Sequence, residues 1–91
     1  MTTPVAVVTG AGSGIGRALA RQLDSENYDL VISDVNEIGL AETVSQLKRK
    51  PKSLRMDVSK REEVHALADE VIKQFGHVDL VINNAGVALD G

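Results

Sequence analysis

The run Val5-Ala6-Val7-Val8-Thr9-Gly10-Ala11-Gly12-Ser13-Gly14-Ile15-Gly16-Arg17 constrains this chain more than any other stretch. Short apolar and β-branched residues read as a buried strand, glycines at alternate positions as a tight turn, and helical spacing begins at Ile15. The first N–H groups of a helix have no partner inside it, and its dipole puts partial positive charge there. An anion can therefore be held without a basic side chain. Glycine removes the Cβ atoms that would keep a diphosphate away from those donors. The stretch has a phosphate-binding geometry.

The remaining residues repeat the alternation of strand and helix. Ile15, Ala18, Leu19 and Leu23 keep helical spacing until the polar run at residues 24–27. Residues 28–34 read as a second strand that closes on Asp34. Asn36 then caps a helix carrying Leu40, Ala41, Val44 and Leu47, with Gly39 inside it. The cluster Lys48-Arg49-Lys50-Pro51-Lys52 is expected to end that helix, its cations complementing the dipole. Residues 53–58 read as a third strand, and Ser59 with Glu62 as a capping box. Val64, Leu67, Ala68, Val71, Ile72 and Phe75 form one apolar stripe, Gly76 stops the helix, and residues 78–83 make a fourth strand.

The order β-α-β-α-β-α-β with short connections predicts one α/β domain over residues 1–91. Its parallel sheet is joined by right-handed crossovers in a three-layer, Rossmann-type arrangement. The expected strand order is 3-2-1-4. Ligands in such sheets bind outside the strand carboxyl ends where the order reverses, here between strands one and four. Thr9, Asp34, Asp57 and Asn83 all fall at or near carboxyl ends.

Composition narrows the alternatives. With 43% hydrophobic and 25% charged residues, the chain has the make-up of a soluble globular protein. A net charge of -3 names no partner class, and two aromatics, Tyr28 and Phe75, leave little for stacking on bases, so no nucleic-acid partner is expected. The absence of cysteine excludes disulfides and thiolate metal sites. Neither His65 nor His77 has a second ligand at the spacing a zinc site uses, so no metal is expected. Met1-Thr2-Thr3-Pro4 has no basic region or long apolar stretch. No membrane partner is expected, and the cytoplasm is the default location.

The glycine spacing decides among phosphate-binding motifs. G-x-G-x-x-G is not formed, since the residue three after Gly12 is Ile15. A nucleophile elbow around Ser13 is excluded, because its glycine positions hold Ala11 and Ile15. What stands is T-G-x-x-x-G-x-G, from Thr9, Gly10, Gly14 and Gly16. Asp34 follows Gly16 by eighteen positions, near the roughly twenty at which an acid hydrogen-bonds an adenosine ribose. A carboxylate there accepts from both ribose hydroxyls and repels a 2′-phosphate, which favours NAD over NADP. The alternative reading of Asp34 is an acid that caps the following helix.

This glycine motif resembles that of the short-chain dehydrogenase/reductase family. Asp57-Val58 matches the family's dipeptide beside the adenine ring, and Asn83-Asn84-Ala85-Gly86 matches its N-N-A-G motif. The resemblance implies cofactor contacts from Gly10, Ser13, Gly14, Ile15, Gly16, Asp34, Asp57, Val58, Asn83, Ala85 and Gly86. It covers the whole chain but only the first part of the family's fold, so the sheet is expected to be incomplete relative to that fold.

The family's catalytic serine and Y-x-x-x-K pair fall after N-N-A-G, whereas this sequence ends at Gly91. The only tyrosine, Tyr28, has Ile32 where that motif needs lysine, and reads as a half-buried strand residue. His65 and His77 read as exposed positions on the last helix and its end. No catalytic residue is assigned. The expectation is the NAD-binding part of an oxidoreductase that moves hydride between nicotinamide and a carbonyl or alcohol, not catalytic by itself. The alternative is a natural short protein that binds nucleotide or a partner subunit. Leu80-Val81-Ile82 is expected to form an exposed edge that self-associates or pairs with a C-terminal part.

Overall fold

The computed structural model describes residues 3–84. The elements run β1 (Val5–Thr9), α1 (Gly14–Ser25), β2 (Asp29–Asp34), α2 (Glu37–Ser45), β3 (Lys52–Arg55), α3 (Arg61–Phe75) and β4 (Leu80–Asn83). All pairings are parallel and the strand order is β3-β2-β1-β4. The order reverses between β1 and β4, as the alternation of elements predicts.

β1 is buried at all five residues because both faces of the central strand are covered. Ala6, Val8, Leu30 and Ile32 pack with Ala20 and Leu23 of α1 and Leu40 of α2. On the other face Val5, Val7 and Val31 meet Met56 and, from α3, Leu67 and Val71. Burying each Val or Ile contributes about 1.5–3 kcal/mol relative to leaving it exposed.

Helix rotation departs from the apolar stripe read for α1. Ile15 is 70% exposed and Ala18 is exposed, while the inward face is Gly16, Ala20, Leu23 and Asp24. The cause is close approach. A Cβ placed on Gly16 would lie 2.0 Å from Gly10 O, so the small residue, not the large one, faces the sheet. Asp24 completes that face as a buried carboxylate accepting from Lys48 N at 2.8 Å and Arg49 N at 3.3 Å.

That capture also corrects the end of α2. The helix stops at Ser45, before the basic cluster, with no cation in its last turn. Backbone donors of Lys48 and Arg49 bind Asp24 instead of continuing a helix. At its start Asn36 does cap α2, with its Oδ1 accepting from Gly39 N at 3.0 Å. Gly39 is inside the helix because a Cβ there would lie 2.5 Å from Gly12 O.

β3 is shorter than read, since Asp57 draws the chain into a turn. Its Oδ1 accepts from Ser59 N at 3.0 Å and Ser59 Oγ at 2.7 Å. Ser59 is therefore spent on Asp57, and the Ser59–Glu62 capping box does not form. α3 begins after Lys60, and Glu63 Oε1 accepts from Asp57 N at 2.9 Å. Gly76 ends α3 in a left-handed conformation, φ 81°, its N–H donating to Ile72 O.

Only Leu67 and Val71 of the α3 stripe are buried. Val64, Ile72 and Val81 stay exposed along an apolar groove of about 250 Å³ between α3 and the sheet. β4 is an edge strand with Val81 62% exposed. His65 is exposed, but His77 is half-buried and ties β4 to the start of the chain. Its Nε2 lies 3.2 Å from Thr3 O and 3.1 Å from an Asp79 carboxylate oxygen.

Candidate functional site

The carboxyl ends of β1, β2 and β4 meet around the glycine turn. Thr9 Oγ1 donates to Asn83 Oδ1 at 2.8 Å, which joins β1 to β4 at the point of reversal. Asn84 Nδ2 donates to Gly10 O at 3.2 Å. Gly10 and Gly14 have φ of 68° and 55°, a left-handed backbone that residues with a Cβ adopt only at a cost. A Cβ on Gly14 would meet nothing within 4 Å, so the turn is open on that side.

α1 starts in that open space. Ser13 is its N-cap, in extended backbone, yet its side chain makes no cap bond and no acid stands in the first turn. Ser13, Gly14 and Ile15 are all exposed. The helix therefore presents its first N–H groups and positive dipole end without a neutralising group of its own, which suits an anion.

The preceding half of the turn is arranged in the opposite way. Ala11 N donates to Ser33 O at 3.0 Å and Gly12 N to Asp34 Oδ2 at 2.8 Å. Ala11 O accepts from Thr43 Oγ1 at 2.6 Å and Gly12 O from Arg17 Nη2 at 2.6 Å. All four polar groups are held by the protein. Sequence reading missed Arg17 and Thr43, because their partners lie on other elements. Thr43 is fully buried inside α2, a burial that its own sequence neighbourhood does not signal.

Asp34 stands against the turn, half-buried, with its other oxygen accepting from Asn36 N at 2.9 Å. A Cβ on Gly12 would come within 2.7 Å of Asp34 Oδ2, so the contact needs glycine there. The cap of α2 is Asn36, not Asp34. A carboxylate has about four acceptor sites, so two N–H donors leave room for hydroxyl donors.

Asp57 and Val58 follow the carboxyl end of β3, the same end of the sheet. The Ser59 hydroxyl, then its N–H, hold the Asp57 carboxyl below the ordinary aspartate range, with Lys60 and Arg55 adding charge. Val58 is half-buried against the α3-side core. Asn83 is at the end of β4, and Ala85 and Gly86 lie outside the described residues. Tyr28 precedes β2, half-buried against the core at the opposite end of the sheet. Among the described residues no group of three His, Cys, Asp or Glu could hold a metal ion, and no helix is long and apolar enough to cross a membrane.

Residues 4–91 match the family model described as short chain dehydrogenase. A Mycobacterium tuberculosis protein, SadH, named as an oxidoreductase, is 53% identical over 90 residues, covering 96% of this chain and 33% of its own length. A short-chain dehydrogenase/reductase from Burkholderia phymatum, solved in complex with NAD, is 44% identical with a TM-score of 0.82, over 88% of this chain and 30% of that one. An actinorhodin polyketide ketoreductase solved with NADPH is 34% identical with a TM-score of 0.83, over 92% of this chain and 34% of that one. The chain spans about a third of the length of the curated relatives it matches.

Proposed function

Because the chain belongs to the short-chain dehydrogenase family, we propose that its strand-end site holds the adenosine diphosphate part of a nicotinamide dinucleotide, with NAD preferred. The residues fit such a group. The space beside Gly14 and the uncapped start of α1 leave room and donors for a diphosphate. Gly10, Ser13, Gly14, Ile15 and Gly16 would hold it there, Asp34 the adenosine ribose, and Asp57 and Val58 the adenine, with Asn83, Ala85 and Gly86 as further cofactor-binding residues. When bound, the nicotinamide supplies a hydride donor or acceptor, and the reaction served is exchange with a carbonyl or alcohol.

The observation that carries the NAD preference is Asp34 bound to Gly12 N at 2.8 Å. One peptide bond therefore separates a carboxylate from the anion-binding donors. A 2′-phosphate brought beside it meets a like charge. Two unit charges about 4 Å apart interact by about 4 kcal/mol at an effective dielectric near 20, an upper figure that solvent and salt reduce. Both NAD and NADPH occur among the similar structures, so the preference rests on this carboxylate. Calorimetric titration tests it: NAD binds more tightly than NADP, and Asp34→Ala narrows the difference. Equal affinities, or tighter NADP, would remove Asp34 from this role.

These 91 residues are proposed to bind cofactor without turnover. Exchange of a hydroxyl proton needs a positioned acid or base, typically a factor of about 10² to 10⁴ in rate. Tyr28, at the other end of the sheet, is too far from the site to serve. The exposed edge of β4 and the apolar groove beside it support a further proposal, pairing of β4 with a second copy or with another segment of a longer chain. Light scattering that finds a strict monomer at high concentration would exclude self-association.

A further inference from the structure

We infer that Arg17 is a positioning residue for this site, acting through the two peptide groups on either side of Gly12 without touching the cofactor. The inference rests on the reading of Asp34 given above. In the first peptide, the Ala11 carbonyl accepts from Thr43 Oγ1 at 2.6 Å while the Gly12 N–H donates to Asp34 Oδ2 at 2.8 Å. In the second, the Gly12 carbonyl accepts from Arg17 Nη2 at 2.6 Å. A trans peptide directs its N–H opposite to its C=O. Drawing the Gly12 carbonyl toward Arg17 therefore turns the Ser13 N–H the other way, at the exposed start of α1.

Arg17 also fixes the first peptide, through Thr43. Its Nε donates to Thr43 Oγ1 at 2.9 Å, which leaves the threonine proton for a carbonyl. Nη2 reaches Gly39 O at 3.1 Å as well, so the guanidinium is anchored on α2. Its forked donors serve four acceptors, Nη2 also reaching the exposed Glu42 Oε1 at 3.3 Å, and the single ammonium of lysine does not reproduce that fork. Thr43 is fully buried and the Arg17 side chain is 24% exposed, so water does not readily replace these bonds. One side chain thus holds the aim of the carboxylate and of the first open donor.

A residue that merely packs α1 on α2 would alter affinity for NAD and NADP by one common factor. A residue that aims Asp34 alters their ratio. Dissociation constants for NAD and NADP are measured by calorimetry on the unaltered chain and on Arg17→Met, Arg17→Lys, Thr43→Val and Asp34→Ala, with folding followed by circular dichroism. Hydrogen bonds of this kind imply a loss of roughly tenfold in NAD affinity for Arg17→Met. The NAD-to-NADP ratio falls toward that of Asp34→Ala, and Arg17→Lys lies between. Thr43→Val keeps the side-chain volume, frees the first peptide and removes the acceptor of Arg17 Nε while leaving Nη2 on the Gly12 carbonyl, and narrows the ratio with a smaller loss of NAD affinity. If Arg17→Met does not fold, Thr43→Val decides: a narrowed ratio supports the inference and an unchanged one overturns it. A ratio that Asp34→Ala narrows but both other sites leave unchanged overturns this inference alone. A ratio that widens in Arg17→Met overturns it in favour of direct contact with the 2′-phosphate. Equal affinities in the unaltered chain overturn the reading of Asp34, and this inference with it.

Discussion

Replacing Gly16 by alanine places a methyl group where α1 crosses β1. The added Cβ lies 2.0 Å from Gly10 O and 2.7 Å from the Gly10 carbonyl carbon, and 3.0 Å from Asn84 Nδ2. Non-bonded Cβ contacts essentially never fall below 3.0 Å, so roughly 1 Å of movement is needed, and the obstacle is backbone, which cannot rotate away. Overpacking of this kind costs about 1–3 kcal/mol. Alanine recovers up to about 0.8–1 kcal/mol in helix propensity, and less in a first turn than in a helix interior. The net expectation is a loss of about 1–2 kcal/mol, together with strain on the Asn84 hydrogen bond to Gly10 O. For a domain of this size each kcal/mol lowers Tm by about 4–8 °C. Thermal and urea unfolding of Gly16→Ala against the unaltered chain measure it. Unchanged or raised stability, the outcome where a glycine is merely flexible, would refute the argument that this glycine sets the rotation of α1.

Three further outcomes are expected. Asp24→Ala leaves the Lys48 and Arg49 N–H groups without their buried acceptor and should cost about 2–3 kcal/mol; chemical denaturation measures it, and a neutral effect would mean that the α2–β3 connection is not held by this carboxylate. Ser33 Oγ is buried with no hydrogen-bond partner among the described residues, so Ser33→Ala should be neutral or stabilising by up to about 1 kcal/mol, and a lower Tm would count against that. Asp57 is held below the ordinary aspartate range by Ser59, so its contribution to stability is present above that range and is lost as pH falls through the lower folded value. An NMR titration followed at the Ser59 amide should have its midpoint below that range, with Asp57 returning toward it in Ser59→Ala; a midpoint at or above it would contradict the assignment.

The parts of the fold that were legible rest on local periodicity. β-branched runs around Val7, Ile32 and Ile82, separated by helical spacing, leave few arrangements for a right-handed parallel sheet, and the observed order is among them. Gly76 and Asn36 act where their local chemistry indicated. What was misread depends on residues distant in sequence. The stripe through Ile15 and Ala18 failed because a contact between Gly16 and Gly10 O sets the rotation of α1. The capping box failed because Asp57 competes for Ser59. The end of α2 was misjudged because Asp24, 24 residues earlier, takes the Lys48 N–H. Arg17 was invisible as a positioning residue for a similar reason, its acceptor Thr43 being 26 residues away.

If the open start of α1 and Asp34 form one nucleotide site, amide chemical-shift mapping with NAD will register both together. The largest shifts should fall on Ser13, Gly14, Ile15 and Gly16, with Asp34 next. Gly76 and the Lys48–Arg49 amides, remote from the strand carboxyl ends, should stay still. Shifts confined to the apolar groove between α3 and β4, or no saturable shifts at residues 13–16, would contradict it.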